Sequence, residues 1–307
     1  MWCCKCCLAD FIWKVAKWII SKEGLIMRKN LKGLFVLSVM CFCLLAGGTT
    51  IYAQKVSETE SNDTKETAQL IQANKETAAG IVNGNYPDQY VVKGYTSTTD
   101  DDWYKVYLTS GTQYVTCNDN GFSFEVYDPA GNRITRQSYE KTGFGVKAYP
   151  FSAESEGYYY VKVTGAVPSS ESYLLLVGGP TYMVAKCEVK LQPVTMANNT
   201  DKVIDFDITK ENQLPENAIV YSISMNGIGS NSVDGISLTN TITNKTVDLR
   251  RYSWNQSKLE SMNLILKSSW IVELAYYKDT SFTPSVDLRY AYPVVSECVE
   301  DNIVVTR

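Results

Sequence analysis

Apolar and polar side chains alternate along most of the chain from residue 90 onward, and a period of two is typical of β-strands. In the segment WYKVYL, Tyr104, Val106 and Leu108 point to one side of the predicted strand. The segments FSFEVYD, GYYYVKV and SYLLLV alternate in the same way, and turn residues separate them. The inward side chains predicted in these three segments are Phe122, Phe124, Val126, Tyr159, Val161, Val163, Tyr173, Leu175 and Val177. The pattern predicts an all-β fold.

Strands with one apolar face are stable only when that face packs against another sheet, so we predict a jelly-roll-like β-sandwich. Residues 177–182, VGGPTY, interrupt the pattern with two glycines and a proline and mark a boundary. Further strand segments follow, and they predict a second β-sandwich. The predicted domains are residues 54–178 and 181–307. The segment 65–71, KETAQLI, predicts a helical turn. The aromatic residues expected in the second core are Tyr252, Trp254, Trp270, Tyr276 and Tyr277.

A secretion signal precedes the strands. Its basic segment contains Arg28, Lys29 and Lys32, its apolar run covers residues 34–46, and Ala53 ends a motif that resembles a signal-peptidase site. Residues 27–53 are therefore interpreted as a signal peptide. Gly48 stands where a lipoprotein signal has its cysteine. We expect a secreted mature protein without a stable membrane anchor.

Residues 1–26 do not fit in front of such a signal. The triplet 22–24, Lys-Glu-Gly, can be encoded by a purine-rich ribosome-binding sequence close to the Met27 codon, so we expect residues 1–26 to be untranslated leader read in frame. The rival interpretation is a metal or acylation site at Cys3, Cys4, Cys6 and Cys7. Adjacent cysteines are hard to direct at one ion, and no second pair follows at zinc-site spacing.

Three cysteines remain in the expected mature chain. Cys117 lies in a strand pattern and is predicted to be a small buried hydrophobic residue. Cys187 and Cys298 lie near the two ends of the second domain, and export permits a disulfide between them. The alternative is three free thiols.

The composition excludes several classes of chemistry. The chain of 307 residues contains no histidine, so Ser-His-Asp hydrolysis, Cys-His hydrolysis and histidine-ligated zinc are impossible. Its formal charge of -4 argues against nucleic acid as a partner. No nucleophile elbow or comparable catalytic motif is evident. We therefore expect a protein that is not an enzyme.

The first predicted domain resembles a known family. Its segments ETESNDTKETAQLI, GYTSTTDDDWYKVYLTSGTQY, FSFEVYDPAGNRI and EGYYYVKVTG with SYLLLV occur in the order typical of bacterial pre-peptidase C-terminal domains. That family includes the collagen-binding modules of clostridial collagenases. The resemblance covers about residues 56–178 and does not extend to residues 181–307. It implies a β-sandwich that binds or targets an extracellular polymer.

The resemblance also implies a calcium site. The ligands carried over by position are Glu58, Glu60, Asn62, Asp63, Asp100 and Asp102. Calcium takes six to eight oxygen ligands, including carboxylates and amide carbonyls. Two acidic segments would also repel each other if they folded together without a cation. The alternative is that residues 58–64 are a solvated leader and residues 100–102 a charged turn.

Outward aromatic residues predict a binding surface. Tyr158 and Tyr160 fall on the face opposite the predicted core, as do Trp103 and Tyr107. Such a row can bind an extracellular protein, including a fibrous one, or a cell-wall or host glycan. The alternative is that these rings pack against neighbouring parts of the protein, which we favour for Trp103. Tyr158 and Tyr160 are the candidate ligand-binding residues.

Two further functions stay open. The chain could be an accessory or inhibitory subunit of a secreted peptidase that is made separately. A weaker hypothesis is an enzyme whose site lies in residues 181–307 and consists of carboxylates alone.

Overall fold

The structure is a computed structural model. It describes residues 53–84, 88–141, 145–198, 200–229, 233–251, 253–276 and 278–307, except for the side chain of Tyr276. The predicted signal peptide up to residue 52 and the four N-terminal cysteines lie outside the described residues. In the part of the chain that is described, no helix is long and apolar enough to cross a membrane.

The described residues consist mostly of β-strands, which confirms the predicted all-β fold class. The first-sandwich strands are β1 (Gln54–Ser57), β2 (Gln69–Ile71), β3 (Tyr90–Thr96), β4 (Asp101–Leu108), β5 (Gly111–Asp119), β6 (Phe122–Tyr127), β7 (Arg133–Tyr139), β8 (Lys147–Ala153), β9 (Gly157–Gly165) and β10 (Glu171–Gly178). They are followed by β11 (Thr181–Lys190), β12 (Val194–Met196), β13 (Lys202–Asp207), β14 (Ile219–Asn226), β15 (Val233–Asn240), β16 (Lys245–Asp248), β17 (Asn255–Ser257), β18 (Leu264–Ile265), β19 (Ser269–Tyr276), β20 (Thr280–Phe282), β21 (Ser285–Val294) and β22 (Asn302–Thr306). The helices are α1 (Ala78–Asn83) and a short 3-10 helix (Glu260–Met262).

The first sandwich pairs two five-stranded sheets. One has the strand order β1-β3-β10-β5-β8, and the other has the order β2-β4-β9-β6-β7. Their inner faces share one hydrophobic core, because every side chain that the alternation predicted to point inward is buried there. These residues are Tyr104, Val106, Leu108, Phe122, Phe124, Val126, Tyr159, Val161, Val163, Tyr173, Leu175 and Val177. The predictions for these strands are confirmed.

A second core lies between two further sheets. One has the order β17-β14-β21-β11-β22, with β18 also paired to β14, and the other has the order β13-β19-β15-β16. Strands β12 and β20 form a separate two-stranded ribbon. Trp254 and Trp270 are buried in this core, as predicted. The predictions for Tyr252, Tyr277 and the side chain of Tyr276 lie outside the described residues.

The first two strands pair in parallel with different sheets. Strand β1 runs parallel to β3, whereas β2 runs parallel to β4. The acidic segment between them therefore passes from one sheet of the sandwich to the other. Residues 64–68 form a turn, with the Thr67 N–H donating to the Thr64 carbonyl at 3.1 Å, and strand β2 follows. The predicted helical turn is therefore wrong for residues 69–71, because pairing with β4 extends the backbone there.

Helix α1 was not predicted. Thr77 begins it by accepting a hydrogen bond from the Gly80 N–H at 3.1 Å, and Gly84 ends it with a left-handed φ of 62°. Its single turn and a half is too short to produce a helical hydrophobic pattern.

The chain passes between the sandwiches at the predicted boundary glycines. Strand β10 ends at Gly178, and β11 begins at Thr181 in a different sheet. The Asn74 side-chain amide donates to the carbonyls of Gly179 and Pro180 at 3.0 and 3.1 Å. The division into two independent domains stays a prediction.

All three cysteines of the described residues are free thiols. Cys117 is fully buried, as predicted. Cys187 is buried in the second core, and the Cys298 sulfur lies 3.5 Å from the Val146 carbonyl oxygen. The structure therefore has three free thiols and no Cys187–Cys298 disulfide.

Candidate metal site

Three carboxylates from two distant segments converge in the first sandwich. Glu58 and Glu60 directly follow β1, and Asp102 is the second residue of β4. One oxygen atom from each side chain lies within 4.8 Å of the others. Asp102 is fully buried because it shares the inward face of β4 with Tyr104. We call these three residues the acidic cluster.

Backbone hydrogen bonds hold the acidic segment against β3 and β4. The Glu58 N–H donates to the Lys93 carbonyl at 2.9 Å, and the Tyr95 N–H donates to Glu58 Oε2 at 2.8 Å. The Trp103 N–H donates to the Asn62 carbonyl at 2.8 Å. Residues 58–62 are therefore an ordered part of the sandwich, which contradicts the alternative of a solvated leader.

Two buried tyrosines orient the carboxylates. The Tyr173 hydroxyl donates to Asp102 Oδ2 at 2.9 Å, and the Tyr104 hydroxyl donates to Glu58 Oε1 at 3.2 Å. The two hydroxyls are 2.5 Å apart. Gly94 leaves room for this arrangement, since a Cβ atom there would lie 2.4 Å from the Tyr173 ring. The alternation predicted both tyrosines as core residues only. For Tyr104, the available signal was its place two residues after Asp102 on the inward face of β4, because a buried hydroxyl needs a partner.

Two oxygen atoms beside the cluster have no hydrogen-bond partner. Asn62 and Asp102 are both fully buried, and the Oδ1 atom of each is unpaired among the described residues. The Asn62 amide nitrogen lies 3.5 Å from Glu58 Oε1, which turns its oxygen away from that carboxylate. An unpaired buried oxygen costs about 1–3 kcal/mol, so this arrangement favours a bound group that accepts these lone pairs.

The electrostatics of the cluster also favour a cation. Burial and, next, the Glu58 carboxylate raise the pKa of Asp102 to about 9. Burial and, next, the charge of Glu58 also raise the pKa values of Glu60 and Asp100. Among the described residues, no lysine or arginine forms an ion pair with Glu58, Glu60 or Asp102. Carboxylate and amide oxygens are the ligands that calcium prefers, so the donor set fits this ion.

The other predicted ligands lie at the edge of the cluster. Asp63 is exposed and Asp100 is half-buried, and neither belongs to the three-carboxylate group. They are near enough for the charge of Asp63 to raise the pKa values of Glu60 and Asp100. Asp101 points to the outer face of the sheet, where it forms an ion pair with Lys162 at 2.8 Å. The structure thus brings together four of the six predicted ligands, including Asn62.

The predicted aromatic row lies on the outer face of the sheet that contains β4 and β9. We call Trp103, Tyr107, Tyr158 and Tyr160 the aromatic face. Tyr107 and Tyr158 are 49% and 43% exposed, and their rings meet edge to face at 5.2 Å. Trp103 is half-buried and packs on the Tyr127 ring at 5.2 Å, as the packing alternative expects.

Lysines cover part of this face. The Lys65 ammonium lies 4.6 Å from the centre of the Tyr160 ring, and the Lys105 ammonium lies 4.4 Å from that of Tyr158. These four residues line a shallow pocket of about 380 Å³ with Glu66, Ala68 and Leu70. Ligand binding by Tyr158 and Tyr160 stays a prediction.

Among solved structures, the chain is similar to a candidate secreted protein from Eubacterium rectale, with a TM-score of 0.49 and 10% identity over 83% of this chain and 90% of that chain. It is also similar to the pre-peptidase C-terminal domain of collagenase from Bacillus anthracis, with a TM-score of 0.26 and 16% identity over 36% of this chain and 93% of that one. The major capsid protein P2 from bacteriophage PM2 has a TM-score of 0.25 and 7% identity over 68% of this chain and 99% of that chain. No protein-family model and no curated protein matches the chain. All three TM-scores are below 0.5, so we base no functional conclusion on these similarities.

Proposed function

We propose that this chain is a secreted, non-catalytic binding module whose first sandwich is stabilised by calcium. The observation that carries the proposal is the convergence of Glu58, Glu60 and Asp102 within 4.8 Å. The two unpaired buried oxygens beside them support it. A cation there would be held by Glu58, Glu60, Asn62 and Asp102, with Asp63 and Asp100 as adjacent negative charges.

Calcium at this site would join the acidic segment to β4. Extracellular calcium modules bind with dissociation constants of roughly 10⁻⁴–10⁻³ M. A ligand that binds only the folded state at ten times its dissociation constant stabilises that state by about 1.4 kcal/mol. The ion would therefore offset the repulsion among the carboxylates and fix the N-terminal strands of the sandwich.

The binding role is assigned to the aromatic face. Tyr107 and Tyr158 expose aromatic surface on a rigid sheet, and exposed rings of this kind are typical of binding hot spots. A row of exposed rings favours an extracellular protein over a glycan, with several contact points and no chemical step.

Thermal unfolding of the purified protein in millimolar calcium and then in chelator tests the metal site. We expect calcium to raise the melting temperature by about 3–6 °C. The expected stabilisation is about 1.4 kcal/mol, and each kcal/mol raises the melting temperature of a protein of this size by about 2–4 °C. The near-isosteric variants Glu60→Gln and Asp102→Asn should lose most of this rise. Glu154→Gln, which changes an exposed carboxylate outside the cluster, is the matched control and should keep it.

An equal melting temperature in calcium and chelator would contradict the proposed metal site. So would a calcium-dependent rise that both cluster variants retain. Magnesium at the same concentration is a second control, because it demands near-ideal octahedral geometry and dehydrates reluctantly, so its effect should be smaller.

A further inference from the structure

A second cavity of about 380 Å³ shares no lining residue with the acidic cluster. It lies where residues 73–76 run past the end of β4 and the start of β5, beside Gly179 between the two sandwiches. The polar residues that line it include Asn74, Glu76, Thr109 and Gln113. We call it the junction pocket.

Glu76 is a buried carboxylate with one satisfied oxygen and one unpaired oxygen. The residue is only 6% exposed. Its Oε2 atom accepts hydrogen bonds from the Thr181 hydroxyl at 2.5 Å, the Gln89 amide at 3.0 Å and the Tyr182 N–H at 3.3 Å. Its Oε1 atom has no partner among the described residues, and none of their lysines or arginines forms an ion pair with it. A buried charge without a counter-ion is costly, so this carboxylate favours a cationic partner.

Asn74 also lines the junction pocket, and its side chain has a second unpaired oxygen. The residue is 1% exposed, and its Oδ1 atom has no partner among the described residues. Its amide nitrogen donates to both the Gly179 and the Pro180 carbonyl, which fixes the orientation of the side chain. Asn74 and Glu76 are two residues apart and both are buried, whereas Lys75 between them is exposed. Both side chains also contact the same chain crossing, Asn74 at Gly179 and Pro180 and Glu76 at Thr181 and Tyr182.

We propose that the junction pocket binds the basic side chain, lysine or arginine, of a protein partner. An ammonium group donates up to three hydrogen bonds and a guanidinium group up to five, and neither group accepts one. Both groups complement a carboxylate and an amide oxygen. A calcium ion fits less well, because it takes six to eight oxygens and this pocket offers a single carboxylate.

The junction pocket adjoins the aromatic face through Tyr107. Tyr107 is one of the residues that line the pocket, and its ring meets the Tyr158 ring edge to face at 5.2 Å. An exposed tyrosine ring at the rim can contact the alkyl stem or the cation of a basic side chain. The assignment of the partner as a protein rests on the proposed function, since a chain bound along the aromatic face would reach this pocket.

Nuclear magnetic resonance titration of the purified protein tests the inference. The probes are N-acetyl-lysinamide and N-acetyl-argininamide, and N-acetyl-norleucinamide is the neutral control of similar length. We expect saturable shifts with the basic probes only. Glu76→Gln should weaken binding about tenfold or more, because it removes the buried charge of the pair. The control Glu154→Gln, an exposed carboxylate elsewhere on the first sandwich, should change nothing.

Two other variants keep the test decisive if Glu76→Gln fails to fold. Lys75→Gln removes the exposed positive charge at the pocket and should tighten binding about twofold. Tyr107→Ala truncates a ring that is 49% exposed and should weaken binding about threefold without loss of the fold.

Several results would overturn the inference. They are the absence of saturable binding, equal binding of the neutral probe, unchanged binding in a folded Glu76→Gln variant, and occupation of the pocket by calcium in place of the basic probes. If Glu76→Gln does not fold, unchanged binding in both Lys75→Gln and Tyr107→Ala would also overturn the inference. None of these results alters the calcium-dependent melting of the acidic cluster, so failure here is distinguishable from failure of the proposed metal site.

Discussion

Asp102 illustrates how a single side chain can have a predictable place and an unpredictable chemistry. Its inward direction follows from the alternation along β4, and the residue is fully buried. Its ionisation depends on Glu58, 44 residues earlier in the chain, and on the Tyr173 hydroxyl at 2.9 Å. Burial contributes most to the raised pKa of Asp102. The Glu58 carboxylate also opposes the charged form of Asp102, whereas the hydrogen bond from Tyr173 favours it.

The raised pKa of Asp102 predicts a pH dependence in chelator. Folding favours the neutral carboxyl, so its contribution to stability is complete below the unfolded pKa near 3.8 and is lost as pH rises through about 9. We expect the melting temperature of the metal-free protein to fall by several degrees between these values. Asp102→Asn, which cannot ionise, should flatten most of this fall.

Melting curves at a series of pH values check this prediction, with Glu154→Gln as the control that keeps the wild-type slope. A melting temperature that rises from pH 4 to pH 9 in chelator would contradict it. If calcium binds the acidic cluster as proposed, millimolar calcium should reduce the fall, since the ion would stabilise the ionised carboxylates.

Strand β22 shows how position in a sheet determines what a short sequence contributes. It lies at the edge of its sheet and pairs in parallel with β11. Its sequence NIVVT contains three consecutive apolar residues, so the sequence alone leaves the buried face ambiguous. In the fold, Ile303 and Val305 are 3% and 5% exposed, whereas Val304 is 52% exposed. The register with β11 therefore directs two of the three side chains into the second core.

The two valines of β22 allow a matched test of this register. We expect Val305→Ala to cost about 2 kcal/mol in the free energy of unfolding, because it removes two buried methyl groups and leaves a cavity. Val304→Ala changes the neighbouring exposed residue and should cost less than about 0.5 kcal/mol. Urea unfolding midpoints measure both values. Equal costs, or a larger cost for Val304→Ala, would show that the strand has another register.

The two sandwiches meet through hydrogen bonds on both sides of the chain crossing. The Thr181 hydroxyl of β11 donates to Glu76 Oε2 at 2.5 Å, and the Ala148 N–H donates to the Ser296 carbonyl at 2.7 Å. An ion pair joins Lys147 and Glu297 at 3.0 Å, and Ala148 packs in the second core. The described residues belong to one compact unit.

These contacts predict a single calorimetric transition for the whole molecule. We expect calcium to shift that transition as a unit, because unfolding of the first sandwich would expose part of the second core. Asn74→Ala removes two hydrogen bonds to the chain crossing and should lower the melting temperature by about 2–6 °C. Scanning calorimetry measures both effects. Two separate transitions, with only one sensitive to calcium, would instead indicate independent domains.

Alternation and turn residues were sufficient to predict four strands of the first core, β4, β6, β9 and β10. Tyr104, Phe124 and Val161 face inward because strand geometry sends every second side chain to the same side, a purely local rule. The two acidic segments of the candidate metal site could also be predicted, because oxygen-rich side chains at the start of a domain and at a strand entry are visible in the sequence. That the two segments meet at one site was implied only by the resemblance to pre-peptidase C-terminal domains. Membership of that family stays a prediction.

Tertiary structure decided everything that depends on contacts between distant segments. The parallel pairing of β1 and β2 with different sheets brings Glu58 to Asp102, 44 residues later in the chain. The three free thiols and the junction pocket also depend on contacts between distant segments, whereas helix α1 is set by its own caps, Thr77 and Gly84. Local pattern determines which way a side chain points, whereas the partner it meets depends on how the sheets are stacked.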